Sequence, residues 1–595
     1  MDSFMHYHIV PLDPKAHLFH VTLTLDNAQK AQEFSLPAWL PGSYMIRDFA
    51  RNIIDISALD ENNQVIALTQ LDKQRWRAAN TSPKLTLSYQ VYAWDLSVRS
   101  AHLDMSHGFF NGSSVFLSVT GTEDNPSTVT IAKPQDALLQ HWQLATSLKR
   151  MSGDEFGFGD FSAENYQDLI DHPVEMGELI IGQFDACGVH HDVVLSGASR
   201  VNMARLCQDL KTICEYQINL FGGQAPFERY VFMTRVLDNG FGGLEHKAST
   251  ALMCSRKDLP QSLDAKVNKD YRTYLSLCSH EYFHSWNVKR ILPKEFIPFD
   301  LSQESYTNQL WAYEGITSYF DDFITYRAGC IDASSYLELL SATMTRVYRG
   351  QGRFKQSLKA SSFNAWTKFY KQDENAANAI VSYYTKGALF ALMLDLTLRI
   401  ESKGKYSLDN LMQQLWQHHG LTGVGTDENS HKAIIEQLLG RNCDELFSYL
   451  DNTEDLPLEA LLAKVGIEMT LRASEGGNDL GDSLNDGKPR GYKIGFGAKF
   501  KAEASGLTII SVTQGSPAHD AGLSAGDVLI SCDALKVTAE FERQLQDHQL
   551  GERLTLHWFR RDVLMQGQLT LQAPMLDTVA LRISDPDAAK IWLSY

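Results

Sequence analysis

The stretch Cys278-Ser279-His280-Glu281-Tyr282-Phe283-His284-Ser285-Trp286 decides how the rest of the chain is read. It lies in an apolar pattern of period 3.6 over 264–288, which predicts a helix. His280 and His284 are four apart, so on a helix they share one face, one turn apart. Two imidazoles placed that way suit a tetrahedral zinc. Glu281 projects from the same region toward an open coordination position. A carboxylate there can take a proton from an attacking water and pass it to a leaving amine. Zinc in such a site lowers the pKa of its water to roughly 7.

A second amphipathic helix is predicted over Trp311-Ala312-Tyr313-Glu314-Gly315-Ile316-Thr317-Ser318-Tyr319-Phe320. Glu314 is the candidate third ligand, completing a set of two histidines and one carboxylate. The expected cofactor is one Zn2+ per chain on His280, His284 and Glu314. Asp321, seven residues after Glu314, either orients a zinc histidine or is a solvated carboxylate.

HExxH followed by WxxEGxxxYF resembles the gluzincins, the thermolysin-like metallopeptidases that include aminopeptidase N. The 29 residues between His284 and Glu314 exceed the aminopeptidase N gap. The longer strings HEYFHSWNVKRI, LPKEFIPFDLS and PAWLPGSYMIRDFARN (37–52) resemble instead the glycyl aminopeptidase family. The resemblance implies a multidomain α+β protein: an N-terminal antiparallel β domain, a thermolysin-like zinc peptidase domain and a C-terminal PDZ domain. It also implies further site residues. Gly242-Gly243-Leu244-Glu245-His246 resembles the GxMEN element, whose glutamate binds the substrate's free α-amine; here His246 stands for the Asn. Such a carboxylate fixes the register of the scissile bond. Gly243 is expected to let a substrate backbone approach its strand. Ser382-Tyr383-Tyr384-Thr385-Lys386-Gly387 resembles the YxKG element, whose tyrosine stabilises the tetrahedral oxyanion. Tyr384 falls on the motif tyrosine. Arg353, in GQGRFKQSL, matches a family element to which no role is assigned.

The first ~170 residues read as strands. Phe19, Val21, Leu23 and Leu25 alternate with polar residues, as do Leu85, Leu87, Tyr89 and Val91. Long helical patterns follow from about residue 200. Residues 474–491 are rich in Gly, Asp, Asn and Ser and read as a linker. Beyond it, SPAHDAGLSAGDVLI (516–530) resembles a PDZ domain, with Ile494, Gly495 and Phe496 at the loop whose amides hold a peptide carboxylate. The expected domains are 1–170, a β-sandwich-like domain; 171–473, the catalytic domain; 474–490, a linker; 491–574, the PDZ domain; and 575–595, a tail docking on the body. A chain ending near residue 475 is expected to keep some turnover.

The 595 residues carry 54 basic and 72 acidic side chains, a net charge of -18. That balance disfavours nucleic acid and anionic membranes as partners. Eight scattered cysteines without a CxxC pair point to a reducing compartment. No apolar run reaches the roughly 18 residues of a membrane span, and the first residues show no signal peptide, so a cytoplasmic location is expected. The first functional reading is an aminopeptidase acting on peptide or protein substrates, with the resemblance implying small N-terminal residues, Gly or Ala. Two alternatives stay open: an endopeptidase of the same fold, for which Glu245 is dispensable, and a PDZ-bearing peptide-binding protein with a vestigial peptidase body.

Overall fold

The computed structural model describes residues 5–263, 266–483 and 490–594. The chain forms two compact units. The first holds the described residues up to Ser305, with Arg327–Cys330 and Trp416–Gly425. The second holds Tyr306–Tyr326, Ile331–Leu415 and the described residues from Thr426 onward. The division therefore falls inside the span 171–473 expected as one catalytic domain.

The first unit begins with an eight-stranded sheet and two four-stranded sheets. The alternation seen in the sequence is its cause. Phe19, Val21, Leu23 and Leu25 point inward from Leu18–Leu25 and meet the inward residues of Leu85–Tyr92 in antiparallel register, Phe19 opposite Val91 and Val21 opposite Tyr89. One pair departs from the antiparallel expectation. Met5–Asp13 runs parallel to Ser127–Ile131, which no short hairpin joins to it.

A five-stranded mixed sheet follows, in the order Leu179–Ala186, Val189–Ser196, Arg229–Leu237, Ser249–Ser255, Phe241–Glu245. Its parallel strands are covered on both faces, so they carry continuous apolar runs such as Val193-Val194-Leu195 and Tyr230-Val231-Phe232-Met233. Phe241–Glu245 is the edge strand, with Glu245 opposite Thr250. Helices Met203–Leu220 and Lys269–Phe283 both start on asparagine caps. Asn202 accepts from the Arg205 N–H and Asn268 from the Tyr271 N–H. The second of them carries the HExxH. Its far side is tied into the core, where the Tyr282 hydroxyl lies 2.9 Å from His191 Nε2.

The second unit is built around helix Thr385–Glu401, buried at every position from Lys386 to Arg399. A helix apolar all round must be central. Its buried acidic residue, Asp395, is satisfied by Arg399 at 2.9 Å, the Tyr319 hydroxyl at 2.6 Å and the Leu408 N–H at 2.7 Å.

The PDZ sheet runs from Ala498–Glu503 to Val563–Thr570. It is an insertion. Strand Ile467–Arg472, before it, pairs antiparallel with Thr578–Ile583, after it, and Asp482–Ser483 adds to the other side of that strand. Helix Pro586–Leu593 then buries Trp592, whose Nε1 donates to the Tyr319 hydroxyl at 3.2 Å. The last residues are thus part of the helical body's own sheet and core. The run expected as a linker is anchored in its first part, where Arg472 pairs with Asp479 at 2.6 Å and Asp482 at 3.1 Å. Residues 484–489 of that run lie outside the described residues. Among the described residues no helix is long and apolar enough to cross a membrane.

Candidate active site

In the first unit, His280 and His284 leave the end of helix Lys269–Phe283 with their Nε2 atoms 3.0 Å apart. His284 Nδ1 lies 2.7 Å from the Asn287 carbonyl oxygen. A carbonyl only accepts, so Nδ1 carries the proton and Nε2 keeps its lone pair. That is the tautomer a metal ligand needs, fixed by the backbone behind it.

Glu281 is 5% exposed. A Cβ on Gly243 would lie 1.9 Å from its Oε1. The edge strand therefore has glycine at 243 to seat the Glu281 carboxylate, a role different from the substrate approach expected of it. Glu245 closes the same strand and is 4% exposed. Ligating atoms of Glu245, Glu281 and His284 all lie within 4.8 Å of one another. Glu245 Oε1 is buried without a hydrogen-bond partner. Two buried carboxylates beside an imidazole lone pair make a site of concentrated negative potential, suited to a divalent cation and an ammonium group.

The Glu245 carboxylate rests on Gly42, which has φ +88°; a Cβ there would lie 2.3 Å from Glu245 Oε1. On the next residue, His246 Nδ1 lies 3.4 Å from Asp171 Oδ1, which also pairs with Lys289 at 2.6 Å. Burial would raise the Asp171 carboxyl, but Lys289 and His246 hold it well below the usual carboxylate range. Burial pushes the His246 imidazole down. The Asp171–Lys289 pair went unread in the sequence because its members lie on separate elements 118 residues apart. An apolar cavity of about 220 Å³ adjoins Glu245, walled by residues that include Leu40, Tyr44, Phe296 and Phe299.

In the second unit, Glu314 sits on the π-turn Trp311–Gly315 that leads into helix Ile316–Arg327, and it is 2% exposed. Such wide turns are common at functional positions. Gly315 packs backbone to backbone on Gly387: a Cβ at 315 would lie 2.6 Å from the Gly387 Cα, and one at 387 would lie 2.9 Å from the Gly315 Cα. The glycines of WxxEG and YxKG are thus the crossing point of two helices, and that crossing sets Glu314 near Tyr384. Burial, then the Glu314 charge, raises the Tyr384 phenol well above its ordinary pKa. Tyr383 is fully buried and packs on Phe369 at 4.8 Å, whereas Tyr384 is half-buried. Asp321 Oδ1 accepts from the Asp322 N–H. Arg353 lies 2.9 Å from Asp455 and stacks on Phe354 at 4.0 Å, which ties down the turn Gln351–Phe354.

The PDZ loop departs from the expectation of an open carboxylate site. The Ile494 N–H donates to Gln546 Oε1 at 3.0 Å, and the Gly495 N–H donates to the Gln572 carbonyl at 3.1 Å. Phe496 is buried in the PDZ core. Two of the three amides assigned to a peptide carboxylate are therefore taken by the chain itself.

Three family models match the sequence: the Peptidase M61 N-terminal domain over residues 6–178, M61 glycyl aminopeptidase over 273–390, and a PDZ domain over 495–571. Among solved structures, an aminopeptidase N family protein from Idiomarina loihiensis is 45% identical, with a TM-score of 0.96 and all of each chain covered. An M1 zinc metallopeptidase variant from Deinococcus radiodurans, bound to a Tyr-Ser-Ala substrate, is 14% identical. Its TM-score is 0.46, over 77% of this chain and 95% of that one. No curated protein matches.

Proposed function

This chain belongs to the M61 glycyl aminopeptidase family, and from that premise we propose a zinc-dependent aminopeptidase that hydrolyses the first peptide bond of peptide or protein substrates. The observation that carries the reading is the convergence of Glu245, Glu281 and His284 within 4.8 Å, with His280 Nε2 3.0 Å from His284 Nε2. The donor set suits zinc, with His280, His284 and, by our proposal, Glu314 as its ligands. Zinc, when bound, supplies Lewis acidity that polarises the scissile carbonyl and acidifies water.

The remaining chemistry belongs to the side chains. Glu281 takes a proton from the attacking water as the water oxygen bonds to the carbonyl carbon. It returns that proton to the amine nitrogen as the C–N bond breaks. Tyr384 donates its phenolic hydrogen to the oxygen on which charge develops; a phenol is protonated at neutral pH and able to donate. Glu245 holds the substrate's α-ammonium. Its buried, unpartnered Oε1 is a strong acceptor that a three-donor ammonium satisfies, which favours an exopeptidase over an endopeptidase. The family description, glycyl aminopeptidase, supports a small N-terminal residue, while the cavity beside Glu245 has room for larger ones. A panel of glycyl, alanyl, leucyl and phenylalanyl amides measures that preference. The eight unpaired cysteines suit a reducing compartment, which we take to be the cytoplasm.

The test compares alanyl and N-acetyl-alanyl amides with wild-type and Glu245→Ala enzymes. Wild type should cleave only the free amine well, and Glu245→Ala should lose most of that preference. Rapid wild-type cleavage of the blocked substrate would favour the endopeptidase.

A further inference from the structure

Asn378 lies in the short helix Ala376–Ala379, six residues before Tyr384, and is 4% exposed. Both ends of its carboxamide are bonded to the PDZ module. Nδ2 donates to the Val512 carbonyl at 2.8 Å, and Oδ1 accepts from the Gln514 N–H at 3.0 Å. Nδ2 also donates to Asn375 Oδ1 at 3.1 Å. A carboxamide bonded this way to peptide backbone copies a rung of β-sheet, and it forms only with the module seated on the helical body.

The chain from Asn378 to Tyr384 has little slack. The Ile380 carbonyl oxygen fills the space of a side chain at Gly352, where a Cβ would lie 2.0 Å from it. The Val381 N–H donates to Gln356 Oε1 at 3.0 Å, and its carbonyl accepts from Ser361 Oγ at 2.6 Å. Ser382 Oγ then accepts from the Tyr384 N–H at 3.1 Å. Ile380, Val381 and Tyr384 are thus each held by a named neighbour, so a displacement at Asn378 is passed along this segment toward Tyr384.

We propose that Asn378 is a positioning residue for the hydrolysis, and that the PDZ module uses Val512 and Gln514 to hold the Tyr384 segment in its reactive place. This rests on the reading of Tyr384 as the oxyanion donor. It also gives the module a task that does not need a captured peptide, consistent with Ile494 and Gly495 bonding within their own chain.

The sharpest variant is Gln514→Pro. Residues 513–516 form a turn closed by the Ser516 N–H on the Thr513 carbonyl at 3.2 Å, with Gly515 at φ +76°. Proline is favoured at the second position of such a turn, so the substitution removes the N–H aimed at Asn378 and leaves the turn intact. Gln514→Ala loses the same side chain, including its contact with Lys355, and keeps the N–H; it is the reference. Kinetics on an alanyl amide and thermal melting are measured for both, for Asn378→Ala, and for each change combined with Tyr384→Phe. Loss of a hydrogen bond that acts on the transition state predicts that Gln514→Pro lowers kcat about 3- to 10-fold relative to Gln514→Ala, with KM unchanged. In the Tyr384→Phe background the same change should lower kcat no further. Equal losses in both backgrounds, or a lower Tm with kcat unchanged, would make Asn378 a structural contact and overturn the proposal. If Asn378→Ala does not fold, Gln514→Pro decides alone. A Tyr384→Phe enzyme with wild-type kcat would overturn the oxyanion reading, and the proposal with it.

Discussion

Gly42 and Glu245 show how much of this site rests on single residues far apart in the chain. The glycine's φ of +88° is costly for any side chain, and its missing Cβ is the space the Glu245 carboxylate occupies. Gly42→Ala should therefore destabilise the fold by about 1–2 kcal/mol and raise KM for free-amine substrates by roughly tenfold, because the carboxylate must shift. Steady-state kinetics check this; an unchanged KM would mean that Glu245 does not bind the amine. Glu175 offers a different single-residue test. Burial raises its carboxyl from 4.5 to about 7, with Ser196 and Arg235 only partly offsetting it. The folded state thus keeps a proton that the unfolded state has lost between those two values, and stability falls as pH rises through that window. Glu175→Gln should raise Tm over wild type more at pH 8 than at pH 5, as a pH series of melts will show. The pairing of His280 with His284 was legible in sequence, since their spacing needs only helical geometry. Gly42 was not. Its sequence shows a Pro-Gly turn, and the partner that gives the turn its function lies 203 residues later.

At the scale of elements, the crossing of the π-turn Trp311–Gly315 with helix Thr385–Glu401 sets the relation between Glu314 and Tyr384. Gly387→Ala inserts a methyl 2.9 Å from the Gly315 Cα. It should cost about 1–3 kcal/mol of stability and lower kcat more than KM rises, because the helices separate by a fraction of an ångström. Calorimetry and kinetics on one preparation check both effects. Period-3.6 patterns did announce these helices. The π-turn left no mark in that pattern, since one wide turn barely changes it. The glycine pair was visible only as motif letters, because close backbone approach is a property of two segments and not of either alone. The PDZ loop was misread for a similar reason: Gly495 looked free to bind a carboxylate until Gln572, from the far end of the module, was seen to occupy its N–H.

For the whole molecule, the PDZ module is an insertion within the second unit's own sheet. Thr578–Ile583 pairs with Ile467–Arg472, and Trp592 is fully buried against Tyr319. A chain ending near residue 475 would lose that strand and that helix together with the module. It should be insoluble, whereas excising 491–574 and joining the ends through a short glycine-serine link should give a folded, weakly active enzyme. Comparing the two by melting and by turnover separates loss of the module from loss of the body. The module itself was legible through the resemblance of residues 516–530 to a PDZ domain. Its insertion was not, because strand pairing across it depends on residues more than 100 positions apart. The claim on which the rest depends is that one zinc, held at the HExxH helix, carries the hydrolysis. Remove metal from the full-length protein by chelation, return zinc in measured equivalents, and follow alanyl amide hydrolysis. Activity should vanish without metal and return in proportion, reaching its plateau at one zinc per chain. Full activity in the metal-free protein would contradict the account.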